Sequence, residues 1–444
     1  MSKKLLQNDF WAQKWFDKCV QALLVFLPWS TVISVFLVYK IGVPGGNFLK
    51  EILLGIIGIL WLVLMFNKWK TTKKFPIQWG WLDSGILAYI LVMTLVTIFT
   101  TGVRGLIFGG RYDFIFLIVF WIFYHGSDFL KFPAMHYIRI FLISSGIMLF
   151  VSGLLKFPLS EELLLYLGYS QYVSAWDFGG APPIFHGIDG ASVRRFQGLL
   201  DGPNTMGAFL IIFMGLLTYF FHQKKDWYFA IGLVVFVAIV MVFYTYSRSA
   251  VLGMIGGAVI ALLGGLGFLF RNYKKQLLAL ILIGIGFSWV LMVKYSGSSE
   301  SLIGREGSTK GHAERMLVGV NRFLEKPLGH GMGSAGPAYR HVLKLESHGR
   351  DSVEEQDRYY IPESWYIQQF IEGGALGGIL FLAISAFIFF QLFFVHSILA
   401  GTFAGVAAMN LFLHTYESSV VSFSLFAIIG IALGYKKYKN AHKK

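Results

Sequence analysis

A carboxylate at the boundary between a charged and an apolar segment is the first candidate for chemistry. Glu363 stands where a polar stretch ends and a long apolar run begins. A carboxylate half-shielded from water can have a raised pKa and act as a general base. The alternative is that Glu363 only complements a helix N-terminal dipole. Glu372, further along the same run, is either functional or hydrogen-bonded to a neighbouring helix across Gly373 and Gly377.

Arginine side chains supply the second kind of chemistry, because the guanidinium fork binds phosphate or carboxylate with two parallel hydrogen bonds. Arg248 lies in a short polar turn between two apolar runs, so it either snorkels to the headgroups or binds a lipid phosphate. Arg194 and Arg195 precede Pro203 and Asn204, a pattern typical of a capped helix start. Such a start is either an anion site or a plain cap with solvated arginines.

Histidines and aromatic residues of the polar stretches give weaker signals. His330 lies in a glycine-rich turn that lacks the ending of a phosphate-binding P-loop. The histidines share no metal-ligand spacing, so we expect no metal and no cofactor. The aromatic residues could stack on sugar faces or lie in an interface belt, which is favoured for Trp365. They are Trp176, Tyr339, Tyr359, Tyr360 and Trp365.

Composition identifies the elements that must position these residues. The chain is 56% hydrophobic and 14% charged, whereas a soluble protein carries about a quarter charged residues. Apolar runs of about 20 residues recur along the chain, as in transmembrane helices. They are continuous rather than alternating, which excludes a membrane barrel. The single Cys19 excludes an internal disulfide framework. The predicted class is therefore an all-α polytopic membrane protein.

Twelve transmembrane helices are predicted, with two large extracytoplasmic loops carrying short amphipathic helices. The spans are predicted near 19–39, 49–66, 82–101, 113–125 (which starts earlier), 137–156, 204–221, 227–246, 249–270, 276–294, 365–390, 395–413 and 418–435. The predicted divisions are helices 1–5 (residues 1–156), the first loop (157–203), helices 6–9 (204–294), the second loop (295–362), and helices 10–12 with a basic tail (363–444).

Basic residues set the predicted orientation. Lys is concentrated in one set of short loops and at both termini, which places both termini in the cytoplasm. The net charge of +14 thus reflects membrane topology and contact with anionic lipid, and we expect no nucleic-acid partner. Arg is frequent in the predicted outer segments. It binds an anionic ligand there, such as a diphosphate, or pairs with the acidic residues of the same loops.

Each large loop contains a helix signal. Ser160 can cap a helix that opens with Glu161 and Glu162. In the second loop an apolar stripe with helical spacing ends before Pro327. It consists of Met316, Leu317, Val320, Phe323 and Leu324. Both helices are expected to lie at the membrane interface or to cap the helical bundle.

Taken in order, these motifs resemble the O-antigen ligase and Wzy-type polymerase family of bacterial membrane proteins. The resemblance covers roughly residues 190–390. The matching pieces are Arg195-Phe196-Gln197-Gly198 with Pro203-Asn204, Ser247-Arg248-Ser249-Ala250, Arg315 with the helix to Pro327-Leu328-Gly329-His330-Gly331-Met332-Gly333, and Glu363-Ser364-Trp365-Tyr366-Ile367-Gln368 with Glu372-Gly373-Gly374-Ala375-Leu376-Gly377.

The resemblance implies a metal-independent glycosyltransferase of the cytoplasmic membrane. It would take a glycan from undecaprenyl diphosphate and transfer it, outside the cytoplasm, to an acceptor glycan or lipid. A flippase and a chain-length regulator are expected partners. Arginines of the outer loops bind the diphosphate in this family, a role that falls here on Arg195, Arg248 and Arg315.

The resemblance also distinguishes two branches of the family. The ligase branch has His-Asn where this chain has Glu363-Ser364, and this difference favours a polymerase. Glu363 and Arg248 are then the predicted catalytic residues. Arg194, Asn204 and His330 complete the predicted substrate site.

Two other classes of function remain open. A transporter or flippase predicts charged or broken helices at the bilayer midplane and internal repeats. The sequence shows no convincing repeat, and its charges concentrate in the loops. A membrane anchor that assembles other proteins fits any polytopic chain and explains none of the loop chemistry.

Overall fold

The computed structural model describes residues 3–74, 76–172, 180–188, 191–222, 228–272, 306–342 and 359–441. These residues are mostly helical. The α-helices are α1 (Lys3–Phe26), α2 (Ser30–Val35), α3 (Leu49–Thr72), α4 (Trp81–Ile98), α5 (Gly102–Arg104), α6 (Gly110–Asp113), α7 (Ile115–Gly126), α8 (Ala134–Lys156), α9 (Pro203–His222), α10 (Tyr228–Tyr244), α11 (Arg248–Asn272), α12 (Glu306–Glu325), α13 (Tyr339–Val342), α14 (Trp365–Val395), α15 (Ser397–Met409) and α16 (Ser419–Ala441).

Tighter and wider turns join several of these helices. The 3₁₀ turns are Leu27–Trp29, Gly46–Phe48, Ser127–Phe129, Glu161–Leu167 and Thr415–Glu417, and the π-helical turns are Phe36–Ile41 and Gly105–Gly109. One short antiparallel pair, β1 (Gly187–Ile188) and β2 (Ala191–Arg194), lies in the first large loop.

Seven helical segments of the described chain are long and apolar enough to cross a membrane. They are Trp11–Ile41, Gly46–Thr72, Trp81–Ile98, Ala134–Lys156, Pro203–His222, Trp365–Val395 and Ser419–Lys437. Shorter apolar helices, Arg248–Gly264 and Ser397–Met409, stand at two further predicted positions. The span predicted near 276–294 lies outside the described residues. The predicted all-α polytopic class is confirmed.

The fourth predicted span begins earlier, as expected, and it is broken. Its two halves, Gly102–Asp113 and Ile115–Phe129, meet at an angle of 56° and count as an eighth span if taken together. Phe114 leaves the helical conformation at the break, with φ −135°. The first half contains the π-helical turn Gly105–Gly109, a feature frequently found near functional sites.

The chain divides into two compact units. The first comprises residues 1–78, 119–247 and 423–444. In it α1 packs on α3 and α8, and α9 packs on α8 and α10.

The second unit comprises residues 79–118 and 248–422. In it α14 packs on α4, α12 and α15, and α11 packs along α15. A Cβ atom on Gly257 would lie 2.6 Å from the carbonyl oxygen of Gly401. Small residues therefore allow the backbones of α11 and α15 to meet, as in many membrane helix pairs.

Both predicted loop helices are present. The Ser160 hydroxyl accepts a hydrogen bond from the Glu162 amide at 3.2 Å, so the predicted cap forms, although the turn is 3₁₀ rather than α. Part of the stripe on α12 faces outward, with Leu317 and Leu324 each about 60% exposed, while Phe323 packs on the ring of Phe370 and Arg322 is buried. A helix that exposes its apolar face and buries an arginine is suited to contact with lipid.

The interface-belt prediction for Trp365 is wrong. Its side chain is fully buried and contacts the rings of Phe116, Phe381 and Tyr416. The Trp365 amide also donates to the Asn410 carbonyl oxygen at 3.0 Å. The loop after α15 therefore covers the first turn of α14 and encloses this ring.

Candidate active site

A glycine-rich segment, residues 327–336, enters a break in α14. At Gly374 the backbone is non-helical, with φ 66° and ψ −171°. The His330 amide donates to the Ile371 carbonyl at 2.8 Å, and the Ala375 amide donates to the Pro327 carbonyl at 2.9 Å. The segment thus supplies partners for backbone groups that the kink frees inside an apolar helix.

Two glycines make this approach possible. A Cβ atom on Gly329 would lie 2.6 Å from the Glu372 carbonyl oxygen, and one on Gly374 would lie 2.5 Å from the Leu328 carbonyl carbon. Both glycines have positive φ, at 102° and 66°. The glycine motifs of the second loop and of α14, separate in the sequence, are therefore two halves of one contact.

Glu372 anchors the same segment through its side chain. Its Oε1 accepts hydrogen bonds from the Gly333 amide at 2.7 Å and from the Ala335 amide at 3.2 Å. The side chain is fully buried. Glu372 therefore positions the glycine-rich segment, which is a more specific role than the bond to a neighbouring helix considered from the sequence.

Two more carboxylates surround Glu372, and sequence reasoning missed both. Asp113 at the break before α7 and Glu417 before α16 form with it what we call the carboxylate cluster. The Gln368 Nε2 lies 2.7 Å from Glu417 Oε1 and 3.4 Å from Asp113 Oδ1. Within the described chain Asp113 Oδ2 and Glu417 Oε2 have no hydrogen-bond partner. Buried carboxylates this close are expected to share protons.

Glu363 lies at a second polar cluster, just before α14. Its Oε1 accepts a hydrogen bond from Arg315 Nη1 at 2.6 Å, and its Oε2 lies 3.3 Å from His312 Nδ1. The Glu363 side chain is only 13% exposed. Its φ of 51° is rare for a residue other than glycine, and such strain often occurs at functional sites. We call His312, Arg315, Glu363 and His414 the Glu363 cluster.

Helix α12 presents its half of the Glu363 cluster on one face. His312, Arg315 and Gly319 are spaced by three and four residues, which places them above one another. A Cβ atom on Gly319 would lie 2.5 Å from Pro362 Cβ, so the missing side chain lets α12 approach the start of α14. The three-residue spacing of His312 and Arg315 is the sequence signal that could have identified this face.

The pKa of Glu363 is shifted in the opposite direction to the one expected from the sequence. Burial by itself raises it, but the neighbouring His312, then His414 and Arg315, outweigh burial and lower the pKa to about 2. The raised pKa expected for a half-shielded carboxylate is wrong, because the chain brings cations to it. Glu363 is therefore ionised throughout the neutral range.

His414 completes the Glu363 cluster from the loop before α16. Burial lowers its pKa to about 4, against the opposing effect of the Glu363 charge. Its Nε2 is buried without a hydrogen-bond partner among the described residues. His414 is therefore a neutral, enclosed imidazole at neutral pH.

The predicted residues His330, Tyr359 and Tyr360 are engaged with Arg322. The His330 Nε2 donates to the Arg322 carbonyl oxygen at 3.0 Å, and burial lowers the pKa of His330. The Arg322 guanidinium lies over the ring of Tyr360 at 4.4 Å and that of Tyr359 at 4.8 Å. Tyr339 stacks on Tyr360 with ring centroids 4.7 Å apart. Trp176 lies outside the described residues.

The predicted arginines of the first loop lie in the first unit. Arg195 donates from Nε to the Thr245 carbonyl at 2.9 Å and from Nη2 to Asn204 Oδ1 at 3.0 Å. The structure therefore brings Arg195 and Asn204 together at the start of α9. The Arg194 guanidinium lies 4.1 Å from the ring centre of Phe185.

Arg248 lies in the second unit as the first residue of α11, after the turn that follows α10. Its side chain is partly exposed. A helix N-terminus carries free amide groups and a positive dipole end, so an arginine there adds to an existing preference for anions.

Metal binding has no evident ligands in the described residues, where no group of three His, Cys, Asp or Glu side chains could hold an ion. At neutral pH the positive charge beside Glu363 is that of Arg315, 2.6 Å from its Oε1. The chemistry that these groups offer is anion binding by guanidinium and proton transfer at a carboxylate or imidazole.

Fold and sites together define a multi-pass α-helical membrane protein with a polar cluster at the start of a spanning helix. Residues 233–382 match the family model Wzy_C, described as O-antigen ligase. The matched region contains Arg248, Arg315, His330 and Glu363, so the family resemblance inferred from the sequence is confirmed. The match covers about a third of the chain. No curated protein matches the chain.

Proposed function

We propose that the protein is a glycosyltransferase that moves a glycan from undecaprenyl diphosphate to a hydroxyl of an acceptor glycan or lipid. The reaction takes place on the extracytoplasmic face of the cytoplasmic membrane, with both termini in the cytoplasm. The observation that carries this proposal is the Arg315–Glu363 contact at 2.6 Å, inside the region that matches the O-antigen ligase model.

Two of the predicted arginines bind the donor in this proposal. Arg248 stabilises the charge that develops on the leaving diphosphate, and Arg315 binds the same group with the N–H donors that Glu363 does not occupy. Because guanidinium groups supply the positive charge, the proposed reaction uses no metal ion. The diphosphate-binding role of Arg195, and the substrate-binding roles of Arg194, Asn204 and His330, remain predictions from the resemblance and the sequence.

Polymerisation is favoured over ligation. The sequence Glu363-Ser364 stands where the ligase branch has His-Asn. The pairing of Glu363 with Arg315 and His312 supports a specialised role for the substituted carboxylate. Growth of a glycan chain, rather than a single transfer to a lipid, is the expected product.

A transporter or flippase is the second candidate. The broken span at Phe114 and the carboxylate cluster are features that this class predicts. The family match favours the transferase. The two candidates differ in one measurable respect, because a transporter moves its lipid-linked glycan without consuming it.

The test is reconstitution of the purified protein in vesicles with an undecaprenyl-diphosphate-linked repeat unit. We expect longer glycans together with released undecaprenyl diphosphate. Arg248→Ala should lower the rate by about 10²-fold or more and Arg248→Lys by less, because lysine keeps the charge but loses the fork. Arg139→Lys, on α8, is the control. Translocation without consumption of the donor, or a wild-type rate in Arg248→Ala, would overturn the proposal.

A further inference from the structure

We propose that His312 is the group that takes the proton from the incoming hydroxyl, while Glu363 orients its ring and balances its charge. This inference rests on the proposed function and assigns a residue that neither the motifs nor the family match identifies. It starts from two contacts: His312 Nδ1 lies 3.3 Å from Glu363 Oε2, and Arg315 Nη1 lies 2.6 Å from Glu363 Oε1.

Glu363 is poorly suited to take the proton itself. One of its oxygens is occupied by the Arg315 guanidinium, and the other faces His312. A carboxylate with a pKa of about 2 gains little by accepting a proton at neutral pH, because general-base efficiency follows basicity. The same environment makes Glu363 a permanent negative charge beside an imidazole.

Of His312, His330 and His414, His312 is best placed to meet a substrate. Its side chain is 36% exposed. The His414 Nε2 is buried, and burial lowers the pKa of His414 to about 4. The His330 Nε2 is occupied by the Arg322 carbonyl. The burial of Nε2 in His414 and the hydrogen bond of Nε2 in His330 therefore separate both from His312, and histidine is the side chain that changes charge near neutral pH.

The orientation of the ring determines which nitrogen reacts. Glu363 Oε2 lies 3.3 Å from Nδ1, which is buried and makes no hydrogen bond to the described residues. In this inference the ring proton is on Nδ1, the nitrogen nearer the carboxylate, and the lone pair is on Nε2. The acceptor hydroxyl gives its proton to Nε2 as its oxygen forms the new bond to the anomeric carbon. The bond from that carbon to the diphosphate breaks, and its electron pair leaves on the diphosphate oxygen. The imidazolium then loses its proton to water.

Charges around His312 support this cycle. When the ring becomes positive, the Glu363 carboxylate at 3.3 Å stabilises it. Arg315, on the same face of α12, opposes a second positive charge but is itself paired with Glu363. His414 faces the pair from the loop before α16 and is neutral near pH 7. The negative charge of Glu363 is therefore in place beside His312 before the reaction begins.

The test compares pH profiles of glycan transfer in the vesicle assay. Wild type should lose activity on acidification, because a protonated imidazole has no lone pair to accept a proton. His312→Gln should lower kcat by about 10²–10⁴-fold and abolish this acidic limb, with a much smaller change in the acceptor KM. Added imidazole should restore part of the activity of His312→Ala. His136→Gln, on α8, is the matched control.

Glu363→Gln separates orientation from proton transfer. Loss of the neighbouring negative charge disfavours the imidazolium, so the acidic limb should move to lower pH and remain visible. A limb that disappears in Glu363→Gln but persists in His312→Gln would make Glu363 the base and overturn the inference. Folding of each variant is checked by its thermal unfolding in detergent.

The outcomes also distinguish this inference from the proposed function. If the wild-type protein makes no product and releases no undecaprenyl diphosphate, the proposed function fails. If the wild type is active and His312→Gln keeps its rate and pH profile, only the role of His312 fails. Imidazole rescue of His312→Ala supports the inference because a purely structural defect would not respond to a free base.

Discussion

Gly329 and Gly374 lie against each other with no space for a side chain on either residue. A Cβ atom on Gly329 would lie 2.7 Å from the Gly374 amide nitrogen, and one on Gly374 would lie 2.6 Å from the Leu328 carbonyl oxygen. The contact fixes the glycine-rich segment inside the break of α14. It therefore links the second large loop to the helix whose start carries Glu363.

The first prediction concerns this contact. Gly374→Ala should destabilise the protein by at least about 2 kcal/mol, because its φ and ψ are accessible almost only to glycine and the new methyl group meets backbone. Gly329→Ala should have a similar effect. Thermal unfolding in detergent measures both. Gly256→Ala, on α11 with nothing within 4 Å of the new atom, should stay within about 0.5 kcal/mol of wild type.

The second prediction tests how α12 approaches Glu363. Arg315 and Glu363 should show a coupling energy of about 1–3 kcal/mol in a double-mutant cycle of alanine substitutions. Gly319→Ala should reduce this coupling, because its new Cβ atom would lie 2.5 Å from Pro362 Cβ and push the helix away. Gly311→Ala, on the same helix in open space, should leave the coupling intact. Equal coupling in all three backgrounds contradicts a role for Gly319 in positioning the pair.

The spanning helices could be predicted from the sequence because their signal is local. An apolar run of about 20 residues identifies a span wherever it occurs, and the Ser160 cap depends on neighbouring residues. The break at Phe114 could not be predicted in this way. The π-helical turn before this break, Gly105–Gly109, accommodates Met332, whose backbone oxygen would lie 2.7 Å from a Cβ atom on Gly105.

The sites depend on contacts between distant parts of the chain. Arg315 and Glu363 are 48 positions apart, and Gln368 and Asp113 are 255 apart. A single sequence shows which residues could do chemistry but not which of them meet. The pKa of Glu363 illustrates the consequence, since the direction of its shift depends on basic groups that only the fold brings near.

The third prediction follows from the pKa of Glu363. Its folded-state pKa of about 2 is below the ordinary value of 4.5, so the unfolded chain binds this proton more readily. The stabilisation by the ionised carboxylate is complete above pH 4.5 and is lost as the pH falls toward 2. The difference in unfolding temperature between wild type and Glu363→Gln should therefore be constant above about pH 5 and shrink below pH 4.5.

The control for this experiment is Glu314→Gln, an exposed carboxylate on α12. It should stay within about 0.5 kcal/mol of wild type at every pH.

His414 acts in the same direction, because burial lowers its pKa from 6.5 to about 4. Its protonation therefore costs the folded protein stability as the pH falls through that interval. A difference between wild type and Glu363→Gln that grows on acidification would show that the Glu363 cluster is not an ion pair.

The fourth prediction separates the charge of Glu372 from its hydrogen bonds. Glu372→Ala leaves the buried amides of Gly333 and Ala335 without an acceptor, at a cost of about 1–3 kcal/mol each. Glu372→Gln keeps a carbonyl oxygen for those amides and adds an N–H₂ group beside Asp113, whose Oδ2 has no partner among the described residues. We therefore expect Glu372→Gln to unfold within about 1 kcal/mol of wild type.

Thermal unfolding in detergent measures the difference between the two Glu372 variants. Glu162→Ala, at an exposed carboxylate in the first large loop, is the control and should behave as wild type. If Gln is as damaging as Ala, the negative charge of Glu372 is required and the carboxylate cluster does not hold its members by shared protons. If Gln is tolerated and Ala is not, the acceptor atom at this position is what keeps the glycine-rich segment in the break of α14, since the two variants differ in that atom and not in the lost charge.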